Sequence, residues 1–218
     1  MSGAAFEVYF DFDNTIAEID VLDDLIARFS RNEDWKTAEA EWVAGRIGSR
    51  ECLERQMAQV RIGPAALSAY LETIALDPGF QPLVQYLRSR GIEPVILSDS
   101  FDLIISAILA HHGVEGIAVF ANELRSEGDA LKPSFPYAGS ICSTQGNCKC
   151  SHLYRRGRPA GTQKIYVGDG RSDICPAGFC EILFAKDRLL QHFSALHKRC
   201  LPFRKLSDVL SQLPSLLP

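Results

Sequence analysis

The chain has 218 residues, 46% of them hydrophobic and 23% charged, with a formal net charge of −4. That balance supports one large domain, or a core domain with a smaller insertion, and excludes a disordered or fibrous chain. It also excludes a nucleic-acid footprint, which needs a clustered basic face; the only basic run, Arg155–Arg158, contains glycine and precedes Pro159, and reads as a solvated loop.

In chain order, the first element is a short apolar strand, Val8–Phe10, running into DFDNT. Asp and Asn are common in turns, but Asp11 and Asp13 are two apart and share a face of an extended chain. Two like charges there need a cation or a shared proton between them. From about Asp20 to Leu76 no strand pattern appears; VLDDLIARF, WKTAEAEWVAG, SRECLERQMAQV and PAALSAYLETI read as helices, with Ser49 at a capped start and Pro64 in a first turn. Next come a helix from Phe80 closed by Gly91, a strand at Pro94–Leu97, a helix from Phe101 closed by Gly113, and strands at Ile117–Phe120, Ile165–Val167 and Glu181–Ala185. Residues 125–162 carry no clear pattern beyond room for a short hairpin. Strand–helix alternation predicts an α/β fold: a Rossmann-like, mostly parallel sheet covered by helices, with a helical cap inserted after the first strand. The predicted division is a core of residues 1–18 and 77–218 and a cap of residues 19–76.

The polar residues cluster after strands. Asp11 and Asp13 follow the first, Ser98, Asp99 and Ser100 the second, and GDGRSD, with Asp169 and Asp173, the strand at Ile165–Val167. In an open parallel sheet these tips border one crevice, the usual place for a ligand. Asp11, Asp13 and Asp169 make an oxygen-rich set suited to a hard cation such as Mg²⁺. A serine hydroxyl, backbone N–H groups and a nearby lysine would complete a phosphate site.

DFDNT, Ser98 in ILSDS and GDGRSD resemble, in order, three motifs of the haloacid dehalogenase superfamily of aspartate-nucleophile phosphatases. The resemblance spans about Glu7 to Ala185, and the helical insertion is similar to the lid of its phosphoserine-phosphatase branch. It implies that Asp11 is the nucleophile, that Asp13 is first general acid and then general base, and that Mg²⁺ contacts the Asp11 side chain, the Asp13 carbonyl and Asp169. Asp173 would sit behind these ligands, orienting water or the lysine, and Thr15 and Ser98 would hold phosphate oxygens. For the lysine, the spacing before Asp169 and the context GNCKC resemble two subfamilies and favour Lys149 over Lys132 in LKPSF; Lys164 is too close to the last motif.

Two subfamilies resemble the chain most: the methionine-salvage phosphatase acting on a methylthio-pentenyl 1-phosphate, through ILFAKDRLL, and the phosphoethanolamine/phosphocholine phosphatases, through YVGDGRSDICPAG and SDS. Phosphoserine phosphatases usually carry glycines after the second-motif serine, where this chain has Asp99 and Ser100. Asp99 either caps the helix from Phe101 or, with Asp20 or Asp23, pairs with a cationic head group. The expected substrate is thus a small phosphomonoester; a binding module without turnover and a phosphotransferase to an alcohol are the alternatives.

Seven cysteines, an odd number, with neither a secretory start nor a membrane span, indicate reduced thiols and a cytoplasmic setting. Cys142, Cys148 and Cys150 lack CxxC spacing and have only His152 nearby, so they read as loop thiols rather than a zinc site. Cys175 and Cys180 read as core packing, Trp35 and Trp42 as a packing stripe, and His111 and His112 as partners of their own helix end.

Overall fold

The computed structural model describes residues 5–139, 141–155 and 161–217; apart from the backbone of Arg155, the basic run Arg155–Arg158 lies outside them. The strands are β1 (Phe6–Phe10), β2 (Val95–Phe101), β3 (Ala118–Glu127), β4 (Ala130–Ser134), β5 (Gln163–Gly168), β6 (Ile182–Ala185) and β7 (Leu201–Pro202). The helices are α1 (Val21–Phe29), α2 (Asp34–Val43), α3 (Ser49–Met57), α4 (Pro64–Leu71), α5 (Phe80–Ser89), α6 (Asp102–His111), α7 (Lys149–Arg155), α8 (Ile174–Ala177), α9 (Asp187–Ala195) and α10 (Leu206–Gln212). The sheet order is β4-β3-β2-β1-β5-β6-β7, parallel throughout except for the β3–β4 hairpin.

The strands are apolar on both faces because both are covered. Val8 and Phe10 of β1, Ile96 of β2 and Ile165 and Val167 of β5 enter one core with residues of α5, α6 and α10. Tyr9, Val95, Leu97 and Tyr166, one step out of phase, enter a second core with Leu153 of α7 and Leu189 and Phe193 of α9. Phe10 meets Phe80 of α5 edge to face at 6.0 Å. β1 lies between β2 and β5, so its C-terminal tip opens at the switch between the two directions in which the sheet was extended. Gly91 and Gly113 close α5 and α6 with φ values of 71° and 67°, a left-handed turn that glycine makes without a Cβ penalty.

Helices α1–α4 occupy the stretch between β1 and α5. The two connections cross antiparallel, with Asp77 N–H donating to Ile16 O at 2.8 Å and Glu18 N–H to Ala75 O at 3.1 Å. Farther out, Ile62 N–H donates to Asp129 O at 2.8 Å in the β3–β4 turn, and Arg61 bridges Ala130. Gly146 N–H donates to Ser49 Oγ at 3.0 Å and Arg50 N–H to Thr144 O at 3.3 Å. Ser49 is therefore the first residue of α3 rather than its cap, which is Gly48. His112 reaches Ile74 O at 2.7 Å, outside its own helix end, and packs ring to ring with His111 at 5.3 Å. Among the described residues, no helix is long and apolar enough to cross a membrane.

Candidate active site

Three strand tips and one helix start meet above β1. The loop after β1 turns tightly because Asn14 adopts φ 53°, a left-handed conformation Asn tolerates. The N–H groups of Thr15, Ile16 and Ala17 all donate to Phe12 O. Asp11 is buried at the end of this strand. Asp13 Oδ1 accepts the Val21 N–H at 2.9 Å, which places its carboxylate against the first turn of α1. Asp20 caps the same helix by accepting the Asp23 N–H at 2.9 Å.

Lys149, the first residue of α7, is 3% exposed. Its Nζ donates to Asp11 Oδ1 at 2.6 Å, Asp173 Oδ1 at 2.8 Å and Ser172 Oγ at 3.1 Å. Burial alone would favour the neutral amine, but Asp11, Asp173 and Asp99 outweigh it and hold the ammonium charged. Lys132, by contrast, is an exposed hairpin residue paired across the strands with Arg125. Asp173 also accepts the Tyr166 hydroxyl at 2.7 Å and the N–H groups of Asp169 and Gly170 at 3.1 and 3.0 Å. Glycine is required at 168, because a Cβ there would sit 2.5 Å from Asp173 Oδ2.

Carboxylate oxygens of Asp11, Asp169 and Asp173 lie within 4.8 Å of one another. Burial, and then Asp173, push the Asp11 carboxyl well above the ordinary range despite the pull of Lys149. The same two causes push Asp169 up to about 6. Three carboxylates against one ammonium leave two negative charges uncompensated in a buried oxygen-only cluster, which fits a hard divalent cation. Asp173 is already engaged by four donors, so Asp11 and Asp169 are the side chains with oxygens left to ligate. Thr15 is buried and donates to Asp169 Oδ1 at 3.2 Å; it sits behind that carboxylate and not among the residues lining the cavity.

The cavity beside this cluster measures about 450 Å³, and Asp11, Asp13, Ser98, Asp99 and Asp169 are in its wall. The same wall includes Asp20, Asp23, Glu39, Trp42, Arg171 and Arg188. Trp42 faces this space, with the Arg171 guanidinium 5.8 Å from its ring centre, and so does not belong to a packing stripe with Trp35. Asp99 does not cap α6: β2 runs on to Phe101, and Asp102 accepts the Leu103 and Leu124 N–H groups instead. Asp99 Oδ1 is buried without a hydrogen-bond partner among the described residues, and burial pushes the carboxyl up to about 6. Ser98 Oγ accepts the Ser100 N–H at 3.0 Å.

Asn147 is a site residue that the sequence does not advertise. Its amide donates to Ser98 O and Phe120 O, both at 2.8 Å, while His152 lies 2.8 Å from its Oδ1. It thereby ties the loop carrying Lys149 to the tip of β2. His152 makes this contact and packs against Phe120 and Tyr137, with ring centres 4.7 and 4.6 Å apart.

The chain belongs to the haloacid dehalogenase-like hydrolase family, which it matches over residues 8–177. Within that family it is similar to 2-hydroxy-3-keto-5-methylthiopentenyl-1-phosphate phosphatase of Geobacillus kaustophilus, 27% identical with 94% of each chain covered. It is also similar to the phosphatase of the same name from Brevibacillus brevis, 24% identical over 93% of this chain and 92% of that one. Among solved structures it shares the fold of a phosphoserine phosphatase carrying a phospho-aspartyl intermediate analogue, with TM-score 0.71, 20% identity and coverage of 96% and 99%.

Proposed function

We propose that the protein is a Mg²⁺-dependent phosphomonoesterase working through an aspartyl-phosphate on Asp11. The observation that supports this most directly is the Lys149 ammonium buried 2.6 Å from Asp11 and 2.8 Å from Asp173, behind a cavity whose wall includes Asp11 and Asp169. A metal held by Asp11, Asp169 and the Asp13 carbonyl would supply positive charge at the phosphoryl oxygens. Residues 19–76 act as a cap over a core of residues 1–18 and 77–218.

In the first step an Asp11 oxygen attacks phosphorus and the ester P–O bond breaks. The leaving alkoxide takes a proton from Asp13, whose carboxyl is held well above the ordinary range by burial and Asp20, the direction a general acid needs. In the second step Asp13, now a carboxylate, removes a proton from water; the water oxygen attacks phosphorus, and the bond to Asp11 breaks to release inorganic phosphate. Lys149 and Ser98 hold the charge on the transferred group, with Asp173 and Tyr166 orienting Lys149.

For the substrate, the relatives' names point to a methylthiopentenyl-type 1-phosphate. A second reading is favoured by the cavity wall, where Asp20, Asp23, Glu39 and Asp99 outnumber Arg171 and Arg188: a phosphate ester bearing an ammonium, of the phosphoethanolamine or phosphocholine type. Phosphate release from a panel of small phosphomonoesters, with and without Mg²⁺, tests the class. Asp11→Asn should lower turnover by about 10⁴-fold or more. Release by that variant at the native rate would refute the nucleophile; binding without release would leave a binding module, and alkyl phosphate formed from an added alcohol would mark a phosphotransferase.

A further inference from the structure

We infer that Cys142, Cys148, Cys150 and Cys175 form a structural zinc site that fastens the lysine-bearing loop to the start of α8. The sulfurs of Cys142, Cys150 and Cys175 all lie within 4.8 Å of one another, and Cys150 Sγ is 2.7 Å from Cys175 Sγ. Cys148 closes the group through its contact with the Cys142 thiol, and it accepts the N–H groups of Ile141, Cys142 and Ser151. Cys175 thus belongs to this cluster and not to core packing: it is exposed toward the cavity that the other three line. It is also the fourth ligand that the spacing of the loop cysteines alone does not reveal.

The chemistry selects the metal. Four thiolates with no oxygen donor in the set suit zinc and not Mg²⁺. Tetrahedral zinc with bonds of about 2.3 Å would space the sulfurs roughly 3.8 Å apart, within reach of the separations among Cys142, Cys150 and Cys175, with Cys148 to be drawn in from its contact with Cys142. A four-iron cluster would spread them farther, each on its own iron. A single disulfide would use two of the four and leave two thiols clustered without purpose. Binding releases the thiol protons, and the doubly negative centre that results has Arg46 and Arg171 on the wall of the same cavity, of about 430 Å³.

The placement gives the site a task. Cys148 and Cys150 flank Lys149, and Cys175 lies two residues past Asp173, so the metal would hold the lysine and its carboxylate partner at fixed separation. Metal binding couples to folding, so the site would add stability to the loop and to the start of α8 together. None of this depends on the reaction catalysed, and the test needs no phosphatase assay.

Tag-free protein purified under reducing conditions from zinc-supplemented cells should carry one zinc per chain by elemental analysis. Cobalt exchanged into it should show thiolate-to-metal charge transfer and the intense visible bands of a tetrahedral site. Cys142→Ser and Cys175→Ser should each lose the zinc, while Cys200→Ser keeps it. Wild-type protein without zinc or cobalt bands, iron in place of zinc, a Cys150–Cys175 disulfide under these conditions, or full zinc in both serine variants would overturn the assignment. If the serine variants do not fold, the wild-type stoichiometry and cobalt spectrum decide alone.

Discussion

Replacing Lys149 with Met should destabilise the metal-free protein by about 3–5 kcal/mol at neutral pH, because it leaves two buried carboxylates without their cation. At an effective dielectric constant of about 20, each contact, 2.6 Å to Asp11 and 2.8 Å to Asp173, represents about 6 kcal/mol of attraction. Against that loss stands the recovered desolvation of one ammonium, several kcal/mol. The penalty should shrink as pH falls and the carboxylates protonate, and Asp173→Asn added to Lys149→Met should cost less than the two changes summed. Urea unfolding followed by tryptophan fluorescence at pH 7.5 and pH 5, on the single and double variants, measures all of this. A loss under about 1 kcal/mol, or strict additivity, would show that Lys149 does not hold this cluster together.

Mg²⁺ affinity should rise with pH through about 6 as Asp169 loses its proton and should go on rising above it, since the Asp11 carboxyl is also held well above the ordinary range and its proton competes with the cation too. Titration calorimetry should show about a tenfold change per pH unit for each displaced proton. Without metal the same shift works against the fold: the unfolded carboxyl titrates near about 3.9, the native one binds the extra proton between there and 6, and stability falls as pH rises across that window. Gly168→Ala should cost about 1–3 kcal/mol and most of the activity, because Asp173 cannot retreat from the new methyl while tied to Lys149 and Tyr166; melting curves and rates near wild type would contradict this. Asp99→Asn should lower turnover of phosphoethanolamine at least about tenfold more than that of p-nitrophenyl phosphate, one charge contact being worth about 1.4 kcal/mol; an equal loss on both would remove Asp99 from substrate recognition.

The sheet was legible because its strands are apolar in both phases and end in carboxylates, and Asp11, Asp169 and Asp173 do converge with Lys149. Other parts of the site were hidden for physical reasons. Tyr166 reads as an ordinary core residue, and only the fold puts its hydroxyl on Asp173. Asn147 sits in a polar loop whose pattern says nothing about two carbonyls waiting above it. Thr15 shows only a hydroxyl in sequence; which way it faces depends on the turn at Asn14. β2 continues through Ser98–Phe101, a polar stretch without strand periodicity, which is why Asp99 and not Asp102 looked like the cap. Cys175 lies twenty-five positions from Cys150, too far for local spacing to link them.

The fastenings between helices α1–α4 and the rest of the molecule are unevenly distributed. Backbone bonds join the two at Ile62–Asp129, Arg50–Thr144 and the crossing at Ile16–Asp77. Beside the cavity, the Arg171 side chain reaches Val43 O and rests on Trp42, and the Arg188 charge acts on Asp23 and Glu39, side-chain interactions that a rotamer change releases. Helices α1–α4 are thus tied to the rest of the molecule by backbone bonds at some points and by side chains alone at Arg171, where the contact loosens at the lower cost.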